Sequence, residues 1–256
     1  MGAAGRLAVV TGAASGIGQA TATLLAERGH RVLATDLRSD GLAGPAAAGC
    51  RTATADLSTD DGRDGLVAAV DAWLAELGEP AIDWLVNAAG LIVLKPIDQV
   101  TSADLRLAFA TNVESAFLLT QQLGARMRDG GAVVSFSSPS AKFVATTEAA
   151  AYAITKAAVS QVTRSFAMAY APRRIRVNAL SPGITDTPMQ ARVLREVSAQ
   201  RGISIAELEA GRMRTVPMGR TAPPEEMARV VAWLLSDAAA YLTGQVINVD
   251  GGMVMW

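Results

Sequence analysis

Histidine and cysteine are almost missing from this chain of 256 residues, which has one of each, His30 and Cys50. A single thiol permits neither an intrachain disulfide nor a thiolate-based zinc site, and it favours a reducing, cytoplasmic location. A single imidazole excludes His-rich metal sites. It also leaves a Ser-His-Asp hydrolase resting on one residue at the start of an apolar run, and no G-x-S-x-G elbow accompanies it. Charge of one sign is missing too: 23 Lys and Arg stand against 24 Asp and Glu, with no basic or acidic run. Nothing in that balance points to nucleic acid or to an anionic membrane surface. Long hydrophobic runs are absent; the first, 7–10, is too short for a signal-peptide core or a membrane span, and Arg6 stands where a myristoylation motif needs Ser or Thr. The chain is therefore expected to be soluble, without leader or lipid anchor. With no linker, repeat or low-complexity stretch, 1–256 reads as one domain.

What is present is a hydrophobic half, enough for a sizeable core. Short apolar runs at 7–11, 31–35, 51–55, 84–87, 132–135, 175–181 and 245–249 read as strands. They are apolar nearly throughout rather than alternating, as strands covered on both faces should be. Helical spacing fills 17–28, 60–77, 102–127, 151–170 and 224–235 between them. The fold class expected is α/β: a Rossmann-type doubly wound parallel sheet of about seven strands with helices on both faces. The stretch 41–49 is rich in small residues and reads as a loose surface segment. The stretch 187–217 carries a helical run and a capping box, Ser204 with Glu207, and is long enough to form a substrate lid.

Between the first strand and the first helix lies Thr11-Gly12-Ala13-Ala14-Ser15-Gly16-Ile17-Gly18, where glycines let backbone approach a pyrophosphate at a helix N-terminus. Asp36 ends the second strand, placed to accept hydrogen bonds from a ribose. Its carboxylate would repel a 2′-phosphate and Leu37 follows it, so NAD is expected over NADP, with Arg38 the nearest cation. Tyr152 and Lys156 are four apart in a helical pattern and share a face. A tyrosine titrating near ~10 becomes a useful base when a cation beside it favours the phenolate. Alone, the glycine turn is also an ordinary strand-helix connection, and a Tyr/Lys pair an ordinary amphipathic face; their occurrence together favours the functional reading. Asn112, unfavourable mid-helix, suggests an employed side chain or a buried, hydrogen-bonded one.

Thr11 to Gly18, Asn87-Ala88-Ala89-Gly90, Tyr152-Ala-Ile-Thr-Lys156 and Ser181-Pro182-Gly183, in that order, resemble the short-chain dehydrogenase/reductase family, over essentially the whole chain. The resemblance implies hydride transfer between NAD and a secondary alcohol or ketone, with Tyr152 as general acid/base. It implies that Lys156 lowers the tyrosine's pKa and binds ribose, that Ser138 orients the substrate oxygen, and that Asn112 holds a proton-relay water. It further implies a cofactor site of Gly12, Ser15, Gly16, Ile17, Gly18, Asp36, Asp56, Leu57, Asn87, Ala88, Gly90, Tyr152, Lys156, Pro182, Gly183, Thr185 and Thr187, and no metal. Pro139 occupies the family's usual serine position, so the loop 141–151 is expected to hold one extra residue, which favours Ser138 over Ser140. A closer resemblance to 2,3-dihydro-2,3-dihydroxybenzoate dehydrogenases rests on Asp98-Gln99, Phe109-Ala-Thr-Asn112-Val, Gln121-Gln122 and Met189-Gln190. That group carries an arginine before the tyrosine, where this chain offers Lys142. A catalytically silent NAD-binding protein is the alternative of another class. Met189, Leu194, Val197, Met213 and Met218 suggest an apolar pocket wall. The family implies a homotetramer, or a dimer, paired through 102–127 and 151–170, with the apolar tail 251–256 covered by a neighbour.

Overall fold

The computed structural model describes residues 5–144 and 146–256. The reading of Met1 and Gly2 falls outside them, as does Ala145 in the loop before Tyr152. Seven strands, β1 (Leu7–Thr11), β2 (Arg31–Asp36), β3 (Arg51–Thr54), β4 (Ile82–Asn87), β5 (Met127–Phe136), β6 (Arg176–Pro182) and β7 (Val246–Val249), form one sheet in the order β3-β2-β1-β4-β5-β6-β7. Every adjacent pair is parallel. Such pairing requires a crossover between neighbours, and helices supply it: α1 (Gly16–Glu27), α2 (Ala43–Ala47), α3 (Asp60–Leu77), α4 (Ser102–Phe109), α5 (Ser115–Gly124), α6 (Ala150–Tyr170), α7 (Pro188–Arg201), α8 (Ile205–Met213) and α9 (Pro224–Leu235).

Neighbouring residues of each central strand face opposite layers, and both layers are apolar. Val10, Val86, Val134 and Leu180 pack with Ala22 and Leu25 of α1 and with Met227, Val231 and Leu235 of α9. Val9, Leu85, Val133 and Val177 pack with Leu66 and Val70 of α3, Leu119 and Leu123 of α5, and Phe166 of α6. The near-continuous apolar strands are thus explained by burial on both faces. Asp83, buried at the start of β4, accepts from the Leu7 backbone N–H at 2.8 Å and from Arg6 at 3.1 Å, fixing where β1 begins.

Two sequence expectations are corrected. The helix expected over 102–127 ends early: α4 runs to Phe109, the helix widens by one turn over Ala110–Glu114 with Ser115 N bonded to Ala110 O, and α5 stops at Gly124. Met127 extends the i, i+4 stripe of Leu119 and Leu123, which is why it read as helical, yet it opens β5 opposite Ile82. The stretch 41–49 is not loose. Leu42 and Pro45 are buried in a short helical segment, and a Cβ on Gly41 would lie 2.5 Å from that of Ala14, so small residues here allow the segment to pack against the glycine turn.

Arg176 stabilises the far edge. Its guanidinium, buried under β6, donates to the carbonyls of Leu234 (2.6 Å), Leu235 (3.0 Å) and Ser236 (3.1 Å). These carbonyls end α9, lack intrahelical partners, and carry the negative pole of the helix dipole. Arg176→Met is expected to lower unfolding free energy by about 3 kcal/mol, as measured by urea denaturation, because three buried acceptors lose a charged donor. A loss of a few tenths would mean that the cap contributes little.

Candidate active site

The carboxyl ends of β1, β4, β5 and β6 open into a cleft of about 1010 Å³ roofed by α7 and α8. At one end the glycine turn passes close under β4. Gly12 has φ 65°, and a Cβ there would lie 2.6 Å from Ala89 N; a Cβ on Gly18 would lie 2.1 Å from Gly12 O. Thr11 Oγ1 locks the crossing by accepting from Ala89 N at 3.0 Å. Ser15, extended at the start of α1, makes no side-chain cap, so the orphan N–H groups of that helix face the cleft beside Gly16 and Ile17. Such a turn can cradle a phosphate, and the residues present fit a dinucleotide.

Asp36 follows on the cleft wall. Its carboxylate accepts from Ala14 N and Arg38 N, both at 3.0 Å, which orients it toward the opening. Asp56 accepts from Ser58 N and Oγ, and Asp56 and Leu57 line the same end. Ala88 and Gly90 line the floor, whereas Asn87 turns away: its Nδ2 donates to Thr120 Oγ1 at 3.0 Å and Ser135 Oγ at 3.3 Å, tying β4 to α5 and β5. Pro182, Gly183, Thr185 and Thr187 form the opposite rim, Thr187 also capping α7 by accepting from Gln190 N.

Tyr152 and Lys156 stand one turn apart on α6. Lys156 Nζ donates to Phe136 O at 2.8 Å and lies 5.5 Å from the tyrosine ring centroid. Tyr152 is partly open to the cleft, yet burial pushes it up to about 12, while a hydrogen bond from Ser138 pulls the other way. Burial also lowers Lys156 to about 8. Desolvation thus penalises both charged forms in the absence of bound ligand charge.

The serine cluster separates by direction. Ser137 Oγ bonds Lys156 O at 3.1 Å and Ser160 Oγ at 2.7 Å, fastening α6 to β5. Ser138 faces Tyr152, and its Oγ accepts from Ser140 N at 3.2 Å. Asn112, at the wide turn, accepts from Leu91 N (2.8 Å) and donates to Leu91 O (2.9 Å) and Thr155 Oγ1 (3.0 Å), so its amide is a buried clamp outside the cleft lining.

The expected apolar wall is partly corrected. Met189 and Val197 line the cleft, Leu194 and Met213 line a smaller hollow behind it, and Met218 is exposed. Lys142 points away, its Nζ bonding Asn248 Oδ1 and Trp256 O. His30 stacks edge-on against Trp84 and does not line the cleft. Sequence reasoning missed the charged roof residues Arg201, Glu207, Arg212 and Arg214. Isolated charges on a polar helix give no signal until the fold brings them over a cavity. Among the described residues no cluster suits a metal ion, and no helix is long and apolar enough to cross a membrane.

A family model described as "Enoyl-(Acyl carrier protein) reductase" matches residues 12–254. The chain is 38% identical over 258 residues to cis-4-hydroxycyclohexanecarboxylate dehydrogenase of Sinomonas cyclohexanicum, covering 96% of each. Among solved structures it is similar to a short-chain dehydrogenase/reductase of the glucose/ribitol dehydrogenase type from Brucella melitensis, with TM-score 0.85, 33% identity and coverage of 98% of this chain and 97% of that one. It is also similar to an angucycline C-6 ketoreductase with bound NADP, with TM-score 0.84, 29% identity and coverage of 97% and 95%.

The cradle has its own test. Gly18→Ala is expected to destabilise the fold by about 1–3 kcal/mol in chemical denaturation, since the new methyl group meets backbone. Gly65→Ala, on the exposed face of α3 with open space around its Cβ, should instead gain about 0.5–1 kcal/mol. Equal effects would mean the turn yields freely.

Proposed function

The chain belongs to the short-chain dehydrogenase/reductase family, and we propose that it transfers a hydride between NAD and a secondary alcohol or its ketone, with Tyr152 as general acid/base. It is an oxidoreductase of a family that binds nicotinamide cofactors; the choice of NAD, the residue roles and the substrate class are the proposal. The observation that carries it is the convergence of Ser138, Tyr152 and Lys156 on one cleft that also contains the phosphate cradle.

The nicotinamide supplies the hydride acceptor or donor. Gly12, Ser15, Gly16, Ile17 and Gly18 hold the pyrophosphate, and Asp36 the adenosine ribose. Asp56 and Leu57 would hold the adenine, Ala88 and Gly90 the ribose, and Asn87 braces that floor through Thr120 and Ser135. Pro182, Gly183, Thr185 and Thr187 hold the carboxamide end. Tyr152 gives its proton to the developing alkoxide on reduction and, as phenolate favoured by the Lys156 ammonium, takes the alcohol proton on oxidation. Ser138 donates to the substrate oxygen, and Lys156 binds the second ribose. Asn112 acts on the relay by fixing Leu91 and Thr155, leaving the second lone pair of its Oδ1 for water. The segment 187–217 serves as the lid, closing the site from water.

Asp36 favours NAD, and Arg38 in the same wall is the feature that favours NADP. The dihydrodiol-acid reading loses its expected cation, since Lys142 is engaged elsewhere. The exposed Phe117 of α5 and Met168 of α6, with Trp256 at the tail, support pairing of these helices in a tetramer.

Tyr152→Phe is expected to keep NAD affinity while turnover falls at least about hundredfold, and Ser138→Ala to lose about hundredfold in kcat with little change in KM. Ser140→Ala should change turnover only a few fold. Comparable losses in both serine variants, or a near-normal Tyr152→Phe, would overturn these assignments. Coenzyme preference gives a second measurement. Asp36→Ala with Leu37→Arg should shift kcat/KM from NAD toward NADP by about tenfold or more, and a wild-type protein already preferring NADP would remove Asp36 from the ribose.

A further inference from the structure

Three arginines line the roof of the cleft, and they differ in what they touch. Arg201 is neutralised by Glu148 at 2.7 Å and also bonds Thr146. Arg214 is exposed. Arg212 on α8 is half-buried, its Nη2 reaching Gln190 Oε1 at 3.3 Å, while its Nη1 is buried without a hydrogen-bond partner among the described residues. Asp186 and Glu209 line the hollow behind it, yet neither forms an ion pair with it, and the charge acting on it most is the like charge of Arg201. Glu207, the acid that lines the roof, accepts from Ser204 N and Oγ in the capping box. A half-buried guanidinium with an idle buried donor and, among the described residues, no counter-ion is costly to fold, and the arrangement suits an anion arriving from the cleft.

The distance from the reacting centre can be judged from the helix. Leu208 packs in one apolar cluster with Tyr152, Ile92 and Val197. Arg212 follows Leu208 by one turn on the same face, about 6 Å further along the axis. An apolar wall therefore separates the phenol from the cation.

We propose that Arg212 is a carboxylate-binding residue and that the substrate is a hydroxy acid or oxo acid whose acid group is separated from the carbinol by an apolar skeleton of several carbons. A carboxylate matches what is offered: one guanidinium, one charge, and a planar fork with one unpartnered donor. A phosphate, with more charge and more acceptors, would call for further donors at the same point. The proposal rests on the oxidoreductase reading above, so its test includes a measurement independent of turnover.

Heptanoate and the neutral heptanamide are titrated calorimetrically into the full-length protein with NAD present. Heptanoate is expected to bind about ten- to hundredfold more tightly, the factor of a charge-assisted bond in a recessed site. Arg212→Met should erase that difference and Arg212→Lys, a point charge without the fork, should keep part of it. In turnover, 6-hydroxyheptanoate should exceed its methyl ester by a similar ratio in kcat/KM, with the ratio near one in Arg212→Met. Equal binding of acid and amide by the wild-type protein, or a ratio unchanged in a folded Arg212→Met, overturns the proposal, as does inorganic phosphate displacing heptanoate at lower concentration. Preferential heptanoate binding without turnover of either alcohol would preserve the subsite and count against the oxidoreductase reading alone. Turnover of acid and ester alike would do the reverse.

Discussion

Helix α6 and the end of β5 are joined by a reciprocal pair of hydrogen bonds. The carbonyl of Phe136 accepts the Lys156 ammonium, and the carbonyl of Lys156 accepts the Ser137 hydroxyl. Removing an ammonium from water is expensive, and here the expense is met partly by a short bond to a strand-end carbonyl that would otherwise be buried unpaired. The consequence is positional. Tyr152 is set one turn above Lys156, and Ser138 is the residue after Ser137, so both reactive side chains inherit their places from one clamp. Were α6 free to slide by a residue along β5, tyrosine and serine would no longer meet.

Much of this was legible from the sequence because burial leaves a direct imprint. The apolar runs at 7–11 and 84–87 lie where β1 and β4 run, and α3 and α9 have the limits their spacing implied. The end of α5 at Gly124 was not legible, because Leu119, Leu123 and Met127 keep helical spacing across the point where helix gives way to strand. The packing of 41–49 was hidden for the opposite reason: small residues leave little pattern, although the close fit against Ala14 depends on their smallness. The site shows the same division. The glycine turn, Asp36, Tyr152 and Lys156 could be placed from spacing alone, whereas the desolvation of Tyr152 and the unpaired donor of Arg212 depend on three-dimensional surroundings.

Floor and roof of the cleft are built differently. The floor consists of strand ends and the braces of Asn87 and Asn112, whose amides make hydrogen bonds that cross from one element to the next. The roof is a pair of helices on separate caps, Thr187 and Ser204, resting on a small apolar cluster around Ile92, Leu94 and Val197. Thr187 touches the cradle, its Cγ2 lying 3.0 Å from where a Gly16 Cβ would be. What occupies the cradle is thereby felt at the first residue of the roof, giving cofactor and lid a short mechanical link.

The wide turn between α4 and α5 adds one residue to a helix that would otherwise run through, and an added residue rotates everything before it relative to everything after it by about 100°. It acts as a phase shifter. Deleting a single residue from Ala110–Glu114 would leave the helix unbroken and more regular, while swinging the face of α4 a quarter-turn or so away from α6 and carrying the Asn112 amide off Leu91 and Thr155. The irregularity sets the relative orientation of two otherwise ordinary helices, so the chain is least tolerant of length change at a place where its helical pattern looks continuous.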